Sequence, residues 1–226
     1  IIFYVYTTPP TATDGGEAEG GEEKRVKKLT KADIFGVFLR HYLLQNSWCY
    51  ERMQALGYYF SVMPVITKLY PKEEAIERGK VHLEFYNTNP DTSALILGID
   101  LALEEQGVDV NVIKSVKNGL MGPMAGIGDA IFGFALRAIV VSIGASMALQ
   151  GNFFGPIFNA IAGFLIMGGA KWYFINYGYT YGLSLVNRIR EFGIERINTA
   201  IGILGCMTMG SIVATWVNIR TPIVFT

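Results

Sequence analysis

The sequence is short of the groups that most catalytic chemistry needs. It carries two histidines, His41 and His82, and two cysteines, Cys49 and Cys206, among 226 residues. A metal site needs three or four ligands at workable spacing, and this set does not supply them. The cysteines form neither a disulfide framework nor a zinc motif, and they read as small buried apolar residues. There is no Ser/His/Asp signature and no nucleophile elbow. His82 reads as a helix-face histidine satisfied by a neighbour. No catalytic residue, metal or cofactor is expected. Net charge is zero, with 19 Lys and Arg against 19 Asp and Glu, and no long basic stripe appears, which argues against a nucleic-acid role.

Charge is also missing from one half of the chain. Residues 1–130 hold 13 Lys/Arg and 17 Asp/Glu, whereas residues 131–226 hold 6 and 2. That back half is rich in Gly, Phe, Ile and Met, and it is long enough for several membrane spans. Its apolar runs are 130–149, 153–170, 172–186 and 200–217, each interrupted by Gly, Pro or a polar residue. Small residues recur four apart at Gly122/Gly126, Gly151/Gly155 and Gly178/Gly182, a spacing that lets membrane helices approach closely. Trp172, Tyr173, Tyr177, Tyr179 and Tyr181 cluster as an interfacial belt would.

The front half has a different character. Residues 1–28 read as a disordered tail, acidic and Gly/Pro-rich at first. A basic cluster, Lys24, Arg25, Lys27, Lys28 and Lys31, follows, and it is either a solvated run or an anchor to anionic lipid. Thr30 with Asp33 forms a capping-box start. Phe35, Phe38 and Tyr42 then give one apolar stripe of an amphipathic helix. That helix runs on through "NSWCYERMQALGYYF" until Pro64 kinks or ends it. Trp48, Tyr50, Glu51 and Arg52 sit there as a dense polar and aromatic group, either a buried network or a contact with another subunit or sugar. Pro71 opens the next helix, with Glu74–Arg78 as an i,i+4 pair. Asp91 or Thr92 is placed to cap "SALILGIDLAL", which is too short to cross a bilayer and so reads as buried or re-entrant.

The stretch "GLMGPMAGIGDAIFGFALR", 119–137, is the hardest to place. It is no phosphate loop, because Ile131 stands where GxGxxG needs its third glycine and no strand precedes it. Either Gly122, Pro123, Gly126 and Gly128 form a turn with Asp129 capping the next helix, or the segment is a broken piece lining a polar path in a membrane. Arg137, inside the apolar run, costs about 2.5–3.5 kcal/mol at a bilayer centre and should face protein or water.

Several long motifs resemble one family. "NSWCYERMQALGY", "HLEFYNTNP", "LEEQ" and "LMGPMAGIGDAIFGFALRAIVVSIGASMALQGNFFGP", with a weaker "NTAIGILGCMTMGSIVATWVNI", are similar to subunit IID of the mannose/fructose/sorbose-type phosphotransferase sugar transporters, over about residues 29–218. The resemblance implies an all-α integral membrane protein of the bacterial inner membrane. A tail at 1–28, an amphipathic cytoplasmic-face region at 29–118 and a transmembrane region at 119–226 are expected. It implies pairing with a IIC membrane subunit, commonly as a trimer of IIC–IID pairs, to move a hexose that cytoplasmic IIA and IIB phosphorylate. IID itself carries no phosphoryl group in that scheme. The family's usual NTHP reads NTNP here, with Asn89 in the histidine position. The family also continues beyond this C-terminus, so the chain is expected to be truncated relative to it. Asn87, Asn89, Asp129 and Gln150 are the candidates for sugar binding or the pathway. Trp48, Tyr50, Glu51, Arg52, Gly122, Pro123, Gly126, Gly128 and Arg137 are expected in structural or interface roles. The alternative function is a scaffold or receptor that stabilises IIC without transporting.

Overall fold

The structure is a computed structural model, and it describes residues 28–191 together with Ile203, Cys206, Met207 and Gly210. The expected tail and the 200–217 run lie largely outside the described residues. The elements described are helical, apart from two isolated bridges, Cys49 with Met53 and Met53 with Tyr86.

Helix α1, Lys31–His41, opens on the expected capping box: Asp33 N–H donates to Thr30 Oγ1 at 3.3 Å, and Thr30 N–H donates back to Asp33 Oδ2 at 2.7 Å. It buries Ile34, Val37 and His41 against the core. The Phe35/Phe38/Tyr42 stripe lies beside that face and packs elsewhere, with Phe35 and Phe38 edge-on to Trp172 at 5.7 and 5.3 Å. The helix does not run on through Trp48 to Gln54. That segment is a tight turn, closed by paired Cys49 and Met53 backbones, with Met53 at φ 52. Helix α2, Ala55–Leu69, then continues past Pro64. Burial of Tyr58, Val62, Val65 and Ile66 on both sides of the proline outweighs its cost of about 3 kcal/mol.

Helix α3, Lys72–His82, follows Pro71, and Arg78 Nε reaches Glu74 at 3.2 Å. Helix α4, Ser93–Glu105, is buried along nearly its whole length. It is the central post of the front half.

The Gly/Pro stretch forms neither a turn nor a break. Helix α5, Val110–Gly128, runs straight into a π-helical stretch, Asp129–Leu136, and on into α6, Arg137–Leu149. There is no turn at Pro123 and no helix start at Asp129, whose φ and ψ are −64° and −42°. Where no water competes for backbone groups, internal hydrogen bonding favours the helix even over Pro and Gly. The one irregularity is the wider π winding. The 118/119 boundary falls inside this helix.

Helix α7, Phe154–Glu191, joins the runs 153–170 and 172–186 into one rod that kinks at Gly182 (φ 45°, ψ −129°). Val110–Leu149 and Phe154–Leu185 are each long and apolar enough to cross a bilayer, and both are little buried within the chain. They form a hairpin through a turn with Gly151 at φ 79°. The foot of α7 crosses α4 with its backbone in contact: a Cβ on Gly98 would lie 2.2 Å from the Ile175 carbonyl oxygen, and one on Gly178 2.4 Å from that of Leu95. Gly122, by contrast, faces open space among the described residues.

Candidate functional site

A belt of polar side chains sits where the foot of the hairpin meets α4. Its organiser is Asn89, in the NTNP loop that leads into α4. The Asn89 Nδ2 donates to Asp129 Oδ1 at 2.9 Å, and its Oδ1 accepts the backbone N–H of Asp91 at 2.9 Å and of Thr92 at 3.3 Å. Asn89 thus serves the start of α4, the role expected of Asp91 or Thr92. The Thr92 hydroxyl instead donates to the Met124 carbonyl at 2.7 Å, and that of Thr88 to Met121 at 2.9 Å. Gln54 closes the loop from the other side, donating to the Thr88 carbonyl at 2.8 Å. Gly128 makes the approach possible, because a Cβ there would meet the Asn89 side chain at 2.4 Å.

Beside this pair, buried Asp91 lies 3.5 Å from Lys171 Nζ, and Lys171 stands over the Tyr42 ring at 5.0 Å. His41, fully buried, shares a 3.1 Å hydrogen bond with Ser93, whose hydroxyl also meets Tyr86 at 2.8 Å. Burial, with the nearby charge of Lys171, pushes His41 down to about 3, so it is neutral at cellular pH. Lys171, Tyr42, His41 and Ser93 were invisible as site residues in the sequence. Lys171 carried the one available signal, a cation inside an apolar run, which predicts a buried partner.

The four candidate pathway residues do not form one site. Asn89 and Asp129 touch. Asn87 shares the Asn89 loop and is exposed, with its side chain unbonded among the described residues and its N–H 3.4 Å from the Met121 sulfur. Gln150 caps the far end of α6, about 30 Å along the helix from Asp129 at 1.5 Å per residue. A single sugar cannot reach both. The Trp48, Tyr50, Glu51 and Arg52 side chains are exposed rather than buried, Tyr50 by 84%, because the turn holds them away from the core. Arg137 is exposed and unpaired among the described residues, which do not provide the protein interior expected for it.

A second polar cluster lies inside the front half. His82 Nε2 meets Glu104 Oε1 at 2.9 Å, Arg78 Nη1 donates to Glu104 Oε2 at 2.9 Å, and the Tyr58 hydroxyl donates to Asp100 Oδ2 at 2.5 Å. His82 is satisfied by a neighbour, as its helix-face position suggests. Burial pushes Asp100 up to about 6. Burial also raises Glu104, but His82 and Arg78 more than offset it and hold the carboxyl below its ordinary value. A charge network this deep fixes the packing of α2, α3 and α4, and its cost falls on any change that removes one member.

Comparison with known proteins places the chain in one family. Residues 28–226 match the family model of the PTS system mannose/fructose/sorbose family IID component. The chain is 42% identical over 205 residues to the mannose-specific EIID component of Escherichia coli K12, covering 88% of this chain and 72% of that protein. It is 38% identical over 210 residues to the fructose permease IID component of Bacillus subtilis, covering 89% and 75%. Among solved structures it resembles a chain of the mannose transporter ManYZ bound to microcin E492, with 42% identity and TM-score 0.67 over 84% of this chain and 72% of that one.

Proposed function

We propose a function from one premise: the chain belongs to the IID component family of the mannose/fructose/sorbose phosphotransferase systems. It is a membrane subunit of a bacterial sugar transporter. In the inner membrane it pairs with IIC, as a trimer of such pairs, and the complex moves a hexose inward for phosphorylation by IIA and IIB. Phosphate is carried by those cytoplasmic components, and no residue of this chain takes it. IID contributes walls to the path and a polar foot to the hairpin.

The observation that carries a pathway role is Asp129, exposed on the helix face and held from the loop side by the buried Asn89 amide. An amide and a carboxylate suit sugar hydroxyls, which need both donors and acceptors. Asp129 opens the π-helical stretch, and such windings recur at functional positions. Asn87, on the same loop, extends that surface. A scaffold role is favoured instead by the inward bonds of Asn89, which tie the loop to the start of α4. Sugar uptake with IIC, IIA and IIB present separates the two. Complexes carrying Asp129→Asn or Asn87→Ala should assemble normally and lose uptake. If uptake falls only in step with the amount of assembled complex, the scaffold role holds and the pathway role is lost.

A further inference from the structure

The two spanning segments carry five ionic side chains among the described residues. Lys114 pairs with Glu84 at 2.8 Å, Lys117 donates to the Val81 carbonyl at 2.7 Å, Lys171 lies 3.5 Å from Asp91, and Asp129 accepts from Asn89. Arg137 has no partner among the described residues. Its neighbours one turn away on the helix surface are Gly133, Phe134, Val140 and Val141, none of which can pair with it. Phe134 and Val141 are exposed beside it, and a Cβ on Gly133 would meet only its own turn.

Depth decides what can fill that gap. Helix α6, Arg137–Leu149, is 13 residues long, so Arg137 sits about 18 Å from the turn end of the hairpin at 1.5 Å per residue. The π stretch Asp129–Leu136 is 8 residues long. Even at α-helical rise that places the polar belt about 12 Å away in the other direction. In a hydrocarbon core of about 30 Å, this is mid-membrane, beyond the reach of either headgroup layer, so lipid phosphate is excluded. Neutral hydroxyls would satisfy N–H donors but leave the charge uncompensated, and an uncompensated charge at this depth is the costly state.

We propose that Arg137 forms an intramembrane ion pair with a carboxylate on a membrane helix of the IIC partner, the Phe134/Val141 surface packing around it. This rests on the reading that the chain pairs with IIC. The planar guanidinium accepts a carboxylate through two parallel hydrogen bonds, which fixes the register of two helices as well as their attraction. Lysine retains the charge and loses the fork.

The test uses the full system, with this chain co-expressed with IIC, IIA and IIB. The readouts are recovery of IIC on a tagged IID in mild detergent and sugar uptake. Arg137→Met should lower recovery of the complex at least tenfold, Arg137→Lys should lower it less, and Arg137→Glu should abolish it. Selection for growth on the sugar in the Arg137→Glu background should return changes of an acidic residue in an IIC membrane helix to Lys, Arg or a neutral residue. Rescue of that kind also shows that the variant folds. Wild-type recovery of the Arg137→Met complex overturns the ion pair, whether uptake persists or is lost; loss of uptake with assembly intact would place Arg137 on the sugar path. Suppressors confined to this chain overturn it as well. Failure of the unaltered chain to recover IIC would instead remove the pairing on which the proposal stands.

Discussion

The contact between α4 and α7 should respond to a single methyl group. A Cβ on Gly98 would stand 2.2 Å from the Ile175 carbonyl oxygen and 2.9 Å from the Tyr179 nitrogen. Carbon and oxygen come no closer than about 3.3 Å in ordinary contacts, so Gly98→Ala forces the helices apart by about 1 Å. A gap of that size forfeits a quarter to a half of the dispersion attraction between facing atoms, here those of buried Leu97, Ile99, Leu101 and Ile175. Overpacking of this kind costs about 1–3 kcal/mol. Helix propensity returns at most about 1 kcal/mol for Gly to Ala, so the net loss is up to about 2 kcal/mol. At about 2–4 °C per kcal/mol for a chain of this size, melting followed by tryptophan fluorescence in detergent should fall by up to about 8 °C. Gly169, on the same long helix, has nothing within 4 Å, so Gly169→Ala should raise the melting temperature. Gly98→Ala and Gly178→Ala should combine to less than their sum, because the first separation already admits the second methyl. A rise for Gly98→Ala matching that of Gly169→Ala would refute the close-approach reasoning.

Two further outcomes follow from the buried polar groups. His41 is held down to about 3 by burial, below an unfolded value of about 6.5. Between those values the unfolded chain takes a proton that the folded chain refuses, so stability falls as pH drops below 6.5, and above it His41 contributes no slope. His41→Gln should shrink the drop in melting temperature between pH 7.5 and pH 5, and an unchanged drop would mean that His41 takes up its proton in the folded protein. Glu104→Gln leaves buried His82 and part-buried Arg78 without their shared carboxylate. Removing one member of a buried pair costs about 3–5 kcal/mol. Because Arg78 keeps Glu74, the low end applies, a drop of about 6–12 °C. A change under about 2 °C would show that the network carries little of the stability.

Local rules succeeded wherever the interaction was local. The Thr30–Asp33 box, the Glu74–Arg78 pair and the helix following Pro71 depend on residues three or four apart, and each is present. Pro64 does not end its helix and Pro123 makes no turn, because single-residue preferences of a few kcal/mol met packing or a low-dielectric setting that outweighed them. Local rules failed differently at Trp48 to Gln54, where helix-compatible residues form a turn because Gln54 is drawn to the NTNP loop, 34 positions away. Asn89 and Asp129 were both singled out, but nothing in their spacing of 40 residues says that they touch.

By itself, the sequence determined the membrane character and the family. Loss of charge over a long stretch is a property of composition, and motifs are strings that need no fold to be read. It also marked Arg137 as a charge that must find a partner, since the cost of an unpaired charge in hydrocarbon is independent of topology. Only the tertiary structure brought out Lys171 and decided which of the two is satisfied among the described residues. Partnership is a matter of distance across helices: α4 and the NTNP loop bring Asp91 to Lys171 and Asn89 to Asp129, while the face of α6 that carries Arg137 turns outward.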